Sequence, residues 1–284
     1  MTVSLTGSEV AQKIRAEVLA AAAHLTAAGT TPHLAVVLAT DDESTAWYVR
    51  SIARAAERCG VRTSIVDLGP DATSVRIRAE LAALSTDPSV HGIILQTPLP
   101  SGADFEPLAS AIDPAKDIDG ANPRSLGLLA ARLPAFAPAT AEAVMVLLDH
   151  YAVPLSGADA VVIGRSTVVG KPAALLLIHR DATVTVCHRH TKDLAEHSRR
   201  ADVLVVAVGQ PGLINADHVA PHTIVIDVGT NATADGALVG DVDPESVAGR
   251  VAGLTPVPGG VGPVTTALLL QHTITSATGS SGTT

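Results

Sequence analysis

The sequence predicts an α/β protein: an N-terminal α/β domain with a parallel sheet, joined to a second domain built around a doubly wound parallel sheet. Three observations predict it. Apolar, β-branched runs alternate with helix-like segments along nearly all of the 284 residues, and that alternation builds parallel sheets with right-handed crossovers. Hydrophobic residues make up 47% of the chain but aromatic ones only 2%. A core of Ala, Val, Leu and Ile suits strands covered on both faces. One stretch, Ala158 to His190, reads strand, glycine turn, helix, strand, the pattern of a single βαβ unit of about thirty residues.

Taken in order, Gly7 to Ala28 carries apolar residues at helical spacing (Val10, Ile14, Val18, Ala22) and stops at Gly29. His33 to Ala39 reads as strand, Ser44 to Cys59 as a helix stopped by Gly60, and Arg62 to Leu68 as strand. Ser74 to Leu84 reads as helix, and Gly92 to Gln96 as a strand running into Thr97-Pro98-Leu99-Pro100. Asp113 to Pro138 is rich in Pro and Gly and is expected to connect the domains. Glu142 to His150 is a helix.

In the βαβ stretch, Val161 to Ile163 ends at Gly164, Lys171 to His179 is helical, and Ala182 to Cys187 is β-branched. A charged helix (Lys192 to Arg200), a strand (Val203 to Val208) and another strand (Thr223 to Val228) follow. Thr255 to Pro263 (TPVPGGVGP) is a rigid turn whose prolines cannot join a central strand. A last helix, Val264 to Ile274, is expected to pack back on the first domain, and disorder is expected from about Ala277. The boundaries follow: 1–120 with 265–284 for the first domain, and 121–264 for the second. Ligands are expected at the carboxyl ends of the strands, in a cleft between the domains.

Gly164 and Gly170 bracket the βα turn. Glycines there let the backbone approach a pyrophosphate, and the helix N-terminus behind favours negative charge. The spacing departs from the usual fingerprint because Ser166 stands where a second glycine would be, so the turn alone is also compatible with any parallel sheet. The end of the second strand sharpens the reading. An NAD site carries an acid there, about twenty residues on, for the ribose hydroxyls. Here the chain reads Cys187, His188, Arg189, His190, and the first acid is Asp193. With Arg165 in the turn, two guanidinium groups and no acid suit a 2′-phosphate. The expected cofactor is NADP, unless Arg189 is merely a solvated loop residue.

Composition excludes several classes. A net charge of −9 argues against a general nucleic-acid binder. Two cysteines, Cys59 and Cys187, are too few for a disulfide framework or a cysteine-rich metal site. The eleven histidines suggest no metal site; His218 and His222 have helical ligand spacing, but Pro221 lies between them. The first ten residues lack the apolar core of a signal peptide and no apolar run is long enough to span a membrane, so a cytoplasmic protein is expected.

Several motifs occur together and in order: Gln96-Thr-Pro-Leu-Pro100, Lys116-Asp-Ile-Asp-Gly120, Gly164-Arg-Ser166 with Val169-Gly170, Asp227-Val-Gly229, and Thr255 to Pro263. In them the chain resembles the methylenetetrahydrofolate dehydrogenase/cyclohydrolase family, the FolD type, from Leu5-Thr-Gly7 to the last helix. The resemblance implies NADP-dependent oxidation of 5,10-methylene-tetrahydrofolate to the methenyl form, then ring opening by water to 10-formyl-tetrahydrofolate, in a homodimer. It implies that Tyr48 stacks on the folate, that Gln96 supports the catalytic centre and that Asp119 binds the pterin. It adds Pro98, Pro258, Gly259 and Gly260 as substrate contacts, and Gly164, Arg165, Ser166, Val169, Gly170, His188, Arg189 and Thr230 as cofactor contacts. An aromatic face suits a flat heterocycle, and a carboxylate can accept two parallel hydrogen bonds from an aminopyrimidine. On residue type alone, Tyr48 could equally be a core tyrosine and Asp119 a turn cap.

The chain also departs from the family pattern. The catalytic lysine lies four residues after the tyrosine, one helical turn along the same face; here that residue is Ile52. Arg50 and Arg54 point elsewhere on the helix, and an arginine stays protonated. General acid–base catalysis contributes on the order of 10²–10⁴ in rate, so weak or absent cyclohydrolase activity is expected. Hydride transfer is less demanding, because the cofactor carries that chemistry. Thr40 and Glu43 replace the family's Gly and Pro before the second helix, Ser125 its Asn, Pro138 to Ala143 its Pro-Cys-Thr-Pro-x-Gly, and Val264 the Met of its final Pro-Met-Thr. Such drift fits a specialised paralogue. The alternatives are a still bifunctional enzyme and a folate- or nucleotide-binding protein without turnover.

Overall fold

The computed structural model describes residues 1–233 and 236–280, the side chain of Ser280 excepted. In chain order it holds β1 (Val3–Ser4), α1 (Ser8–Ala27), β2 (His33–Leu38), α2 (Glu43–Arg58), β3 (Arg62–Asp67), α3 (Ser74–Thr86) and β4 (Gly92–Leu95). Three helices follow, α4 (Phe105–Ala109), α5 (Pro123–Ala130) and α6 (Ala139–His150). Then come β5 (Asp159–Ile163), α7 (Gly170–Ile178), β6 (Thr183–Cys187), α8 (Leu194–Ser198), β7 (Val203–Val206) and β8 (Ile224–Asp227). The chain goes on through β9 (Asn231–Ala232), β10 (Leu238–Val239), α9 (Pro244–Val247), β11 (Gly253–Leu254) and α10 (Val261–Ser280).

The chain divides into two compact units, one of Met1–Ala11 with Thr140–Thr265, the other of Gln12–Ala139 with the residues from Thr266 onward. These limits differ from those drawn on the sequence at two places. The first residues join the larger sheet through β1, which pairs with β11. Residues 121–139 belong with the smaller sheet: the side-chain amide of Asn122 donates to the Ile112 carbonyl at 2.8 Å, and Ser125 donates to Asp117 at 2.8 Å.

In the unit with the three-stranded sheet β2 lies between β3 and β4, all parallel, with Leu34 opposite Thr63 on one side and Gly92 on the other. Every residue of β2 is buried, as expected for a central strand covered on both faces. Ile77, Leu81, Leu108 and Ile112 pack on Ala35, Val37, Ile93 and Leu95 of the sheet. Helix α2 buries Thr45, Val49, Ile52, Ala55 and Ala56, the stripe of an amphipathic helix. Asp42 caps it, accepting from the Thr45 N–H at 2.7 Å.

The other unit holds a six-stranded parallel sheet in the order β1-β11-β8-β7-β5-β6. The direction of winding reverses at β5, which has β6 on one side and β7 on the other, and open parallel sheets bind ligands beyond such a switch point. Its core joins Val161, Ile163, Leu204, Val206, Ile214 and Val225.

The structure corrects three expectations. The connecting stretch 113–138 contains a helix, α5, started by Asn122 as its cap and Pro123 at its first position. The charged helix shrinks to Leu194–Ser198, because Asp193 adopts a left-handed conformation at its start. Disorder from Ala277 does not hold as far as Ser280, which α10 includes; residues 281–284 lie outside the described residues.

Candidate functional site

In the unit with the six-stranded sheet, the carboxyl ends of β5, β6 and β7 surround an open hollow of about 790 Å³. Gly164, Arg165, Ser166, His188 and Arg189 all line it, and among the described residues no carboxylate does. The glycines are required by geometry. Gly164 has φ +126, and a Cβ on it would lie 2.2 Å from the Ala207 carbonyl oxygen. A Cβ on Gly170 would lie 2.3 Å from the Gly164 carbonyl oxygen. Strand end and helix start therefore touch through bare backbone, which leaves the turn open to a phosphate.

Ser166 replaces the missing glycine with a different device. Its Oγ accepts from the Val169 N–H at 3.1 Å and the Gly170 N–H at 3.3 Å, pinning the first turn of α7. Arg165 and Arg189 are both exposed at the hollow. Thr191, not singled out in the sequence, also lines it, and its Oγ1 accepts from the His188 N–H at 2.9 Å, shaping the loop that carries Arg189. Gln210 was likewise missed; no sequence motif marks it. Val169 and Gly170 stand behind the turn, and Thr230 is exposed after β8; none of these three lines the hollow.

Asp227-Val-Gly229 is a brace. Asp227 is buried, and its carboxylate accepts from the N–H groups of Gly229 at 2.9 Å and of Asp241 and Val242 at 3.0 Å each. Burial outweighs those bonds and raises its pKa to about 6. Asp241, unremarked in the sequence, is fully buried and accepts from Val208, Gly209 and the Asn231 amide. Thr255 opens the proline-glycine turn, and its Oγ1 accepts from the Asp227 N–H at 2.7 Å. Further along that turn, the Gly259 carbonyl accepts from the Gly7 N–H at 2.8 Å, and Gly259 has φ +108.

In the unit with the three-stranded sheet the other predicted residues lie on α2, at the end of β4 and in the Lys-Asp-Ile-Asp-Gly turn. Tyr48 is half-buried. Its hydroxyl is hydrogen-bonded to Thr266, and burial together with the Asp119 carboxylate pushes its pKa to about 12. Ile52, on the same face, is completely buried. Thr45 Oγ1 donates to the Thr97 carbonyl at 3.2 Å, tying the first turn of α2 to the Gln96–Pro98 segment. Gln96 is half-buried and Pro98 exposed, after a cis Thr97–Pro98 bond.

The two aspartates of the turn have different tasks. Asp117 is fully buried and accepts from Ala121 N–H at 2.9 Å, Asn122 N–H at 2.8 Å and Ser125 Oγ. It holds the turn together; burial raises its pKa against the pull of those donors. Asp119 is half-buried. Burial first, and then the negative Asp117, raise its pKa to about 7, while His272 and the Ala139 N–H oppose them. The Asp119 charge is thus felt at the Tyr48 hydroxyl, which brings together a ring and a carboxylate that can present two acceptor oxygens. Among the described residues no group of three or more His, Cys, Asp or Glu side chains is arranged to hold a metal ion.

Two family models match the chain: the tetrahydrofolate dehydrogenase/cyclohydrolase catalytic domain over residues 5–119, and the NAD(P)-binding domain of the same enzymes over residues 138–281. A protein of Saccharopolyspora erythraea, bifunctional protein FolD 1, is 72% identical over 276 residues, covering 97% of this chain and 94% of the relative. Among solved structures, the bifunctional FolD of Campylobacter jejuni superposes with a TM-score of 0.95 at 40% identity, covering 98% of this chain and 99% of that one. The Trypanosoma brucei dehydrogenase-cyclohydrolase, complexed with NADP cofactor and an inhibitor, gives 0.93 at 38% identity, with 99% of both chains covered.

Proposed function

The chain belongs to the tetrahydrofolate dehydrogenase/cyclohydrolase family, and we propose from that membership that it is an NADP-dependent 5,10-methylene-tetrahydrofolate dehydrogenase whose cyclohydrolase step is weak or lost. The observation that carries the second half is Ile52, a fully buried hydrocarbon one turn along α2 from Tyr48. No side chain there can take or give a proton.

The hollow at β5, β6 and β7 fits the cofactor. Gly164 and Gly170 leave no room for side chains, Arg165 and Arg189 offer guanidinium groups to a 2′-phosphate, and among the described residues no acid lines the hollow. NADP, when bound, supplies the hydride acceptor. We assign Gly164, Arg165, Ser166, Val169, Gly170, His188, Arg189 and Thr230 to holding it. For the substrate, Asp119 in its charged form accepts from the aminopyrimidine edge and Tyr48 offers its ring face. We count Gln96, Pro98, Pro258, Gly259, Gly260 and the Ile52 side chain as further substrate contacts. Hydride loss leaves a cation on the one-carbon bridge, stabilised by the adjacent folate nitrogen; it asks the protein for orientation rather than for a proton carrier.

A second reading, full bifunctionality, draws support from the names of the relatives, since the Saccharopolyspora and Campylobacter proteins are both described as bifunctional. Separate assays of NADPH formation and of methenyl ring opening decide between the two. We further propose a cytoplasmic homodimer that binds neither nucleic acid nor membrane. The net charge of −9 argues against a general nucleic-acid partner, among the described residues no helix is long and apolar enough to cross a membrane, and the homodimer rests on the family resemblance alone.

A further inference from the structure

The neighbourhood of Asp119 contains one group that the proposed function does not use. Among the described residues three titratable groups interact electrostatically with this carboxyl: Asp117 from its own turn, the Tyr48 hydroxyl from α2, and His272 from α10. Ile52 adds no charge from α2. Lys116, next in the motif, has its ammonium donating to the Asp87 carbonyl at 2.6 Å. The group that acts as a cation toward Asp119 is therefore the imidazole.

His272 is buried, with 6% of its surface exposed. Its Nδ1 lies 2.7 Å from the Ile118 carbonyl oxygen. A carbonyl only accepts, so Nδ1 carries the hydrogen and donates. Ile118 is the residue between the two aspartates, so this bond fixes the backbone from which Asp119 projects. The ring packs against Phe136, centroids 4.8 Å apart, and on its charged side it favours the ionised form of both Asp117 and Asp119. An imidazole whose Nδ1–H is already bound needs only a proton on Nε2 to become a cation.

We propose that His272 is a positioning residue for Asp119: its Nδ1–H sets the turn at Ile118, and its protonation supplies the positive charge that keeps Asp119 ionised for the pterin. This rests on reading Asp119 as the pterin-binding carboxylate. It gives the site a cation on α10 where α2 has only Ile52, and it needs no proton transfer to substrate.

The test compares wild type with His272→Asn and His272→Leu. Asparagine retains an N–H for the Ile118 carbonyl but cannot charge; leucine has neither. KM for methylene-tetrahydrofolate, KM for NADP and kcat are measured across the neutral pH range. His272→Asn is expected to raise the folate KM roughly tenfold near neutrality and to move its pH limb upward by about one unit, since an opposite charge lost from a buried carboxyl shifts it by that order. KM for NADP stays as it was, and His272→Leu loses more folate affinity than His272→Asn. A His272→Asn profile that superimposes on wild type overturns the proposal while NADPH formation still upholds the dehydrogenase; absence of NADPH formation by wild type overturns the underlying reading instead. If neither variant folds, nitrogen NMR of the labelled wild type decides. A ring with Nδ1–H that takes a second proton on binding folate supports the proposal; a ring neutral in both states contradicts it.

Discussion

Ile52 lies one helical turn beyond Tyr48 on α2, the position from which an amine would share the face of the ring, and it is completely buried while Tyr48 remains half-exposed. The helix thus presents an aromatic platform and a hydrocarbon. Replacing Ile52 by Lys should raise methenyl ring opening by at least tenfold, within the range that one positioned acid–base group contributes. It should also lower the melting temperature, because an ammonium enters a site with no exposure. Loss of methenyl absorbance measures the first and thermal unfolding the second. A stable variant with no gain would refute the lysine explanation.

Asp119 should impose a pH dependence on folate binding. Its pKa of about 7 means that the two-acceptor, charged form appears only as pH rises through neutrality. KM for methylene-tetrahydrofolate should therefore fall as pH rises past about 7, with KM for NADP flat. Asp119→Asn should abolish the limb and raise the folate KM at least tenfold; an unchanged limb in that variant would assign it to another group.

The same shift acts on stability with a definite sign. Asp119 at about 7 and Asp227 at about 6 both lie above the ordinary 3.8, so the folded chain holds these protons more tightly than the unfolded chain does. That contribution is complete below about pH 4 and is lost as pH rises through 6 to 7. Urea midpoints taken over that window should show a smaller decline with rising pH in Asp119→Asn than in wild type. Equal slopes would mean that Asp119 does not titrate there.

Arg165 and Arg189 flank a hollow that no acid lines among the described residues. Replacing both by Ala should weaken NADP by at least about a hundredfold and NAD by only a few-fold, since each guanidinium–phosphate contact contributes about 1.5–3 kcal/mol when well formed. Equal losses for the two cofactors would contradict the 2′-phosphate assignment. KM values for both cofactors measure this directly.

Much of this was legible in the sequence, and particular residues show why. Strand β2 announces itself because all six of its residues are buried and apolar or bonded, and Gly164 because no side chain fits there. Helix α5 was hidden: its Asn122-Pro123 start reads equally as a turn. β1 and β11 have two residues each, too short for any periodicity, so the passage of the N-terminus into the larger sheet could not be seen. The site divides in the same way. Motif residues such as Arg189 and Asp119 could be named, but Asp241 and His272 act through backbone partners far away in sequence, which no local pattern encodes. Asp227 carried a motif yet serves as a brace, because its carboxylate is spent on three backbone N–H groups.

The central claim is tested most directly by incubating the protein with methylene-tetrahydrofolate and NADP and resolving NADPH from methenyl-tetrahydrofolate by their near-ultraviolet spectra without acid treatment, because acid re-closes 10-formyl-tetrahydrofolate to the methenyl form. The account predicts that the two products accumulate one to one. NADPH without methenyl-tetrahydrofolate would show that ring opening persists despite Ile52, and neither product would contradict the dehydrogenase itself.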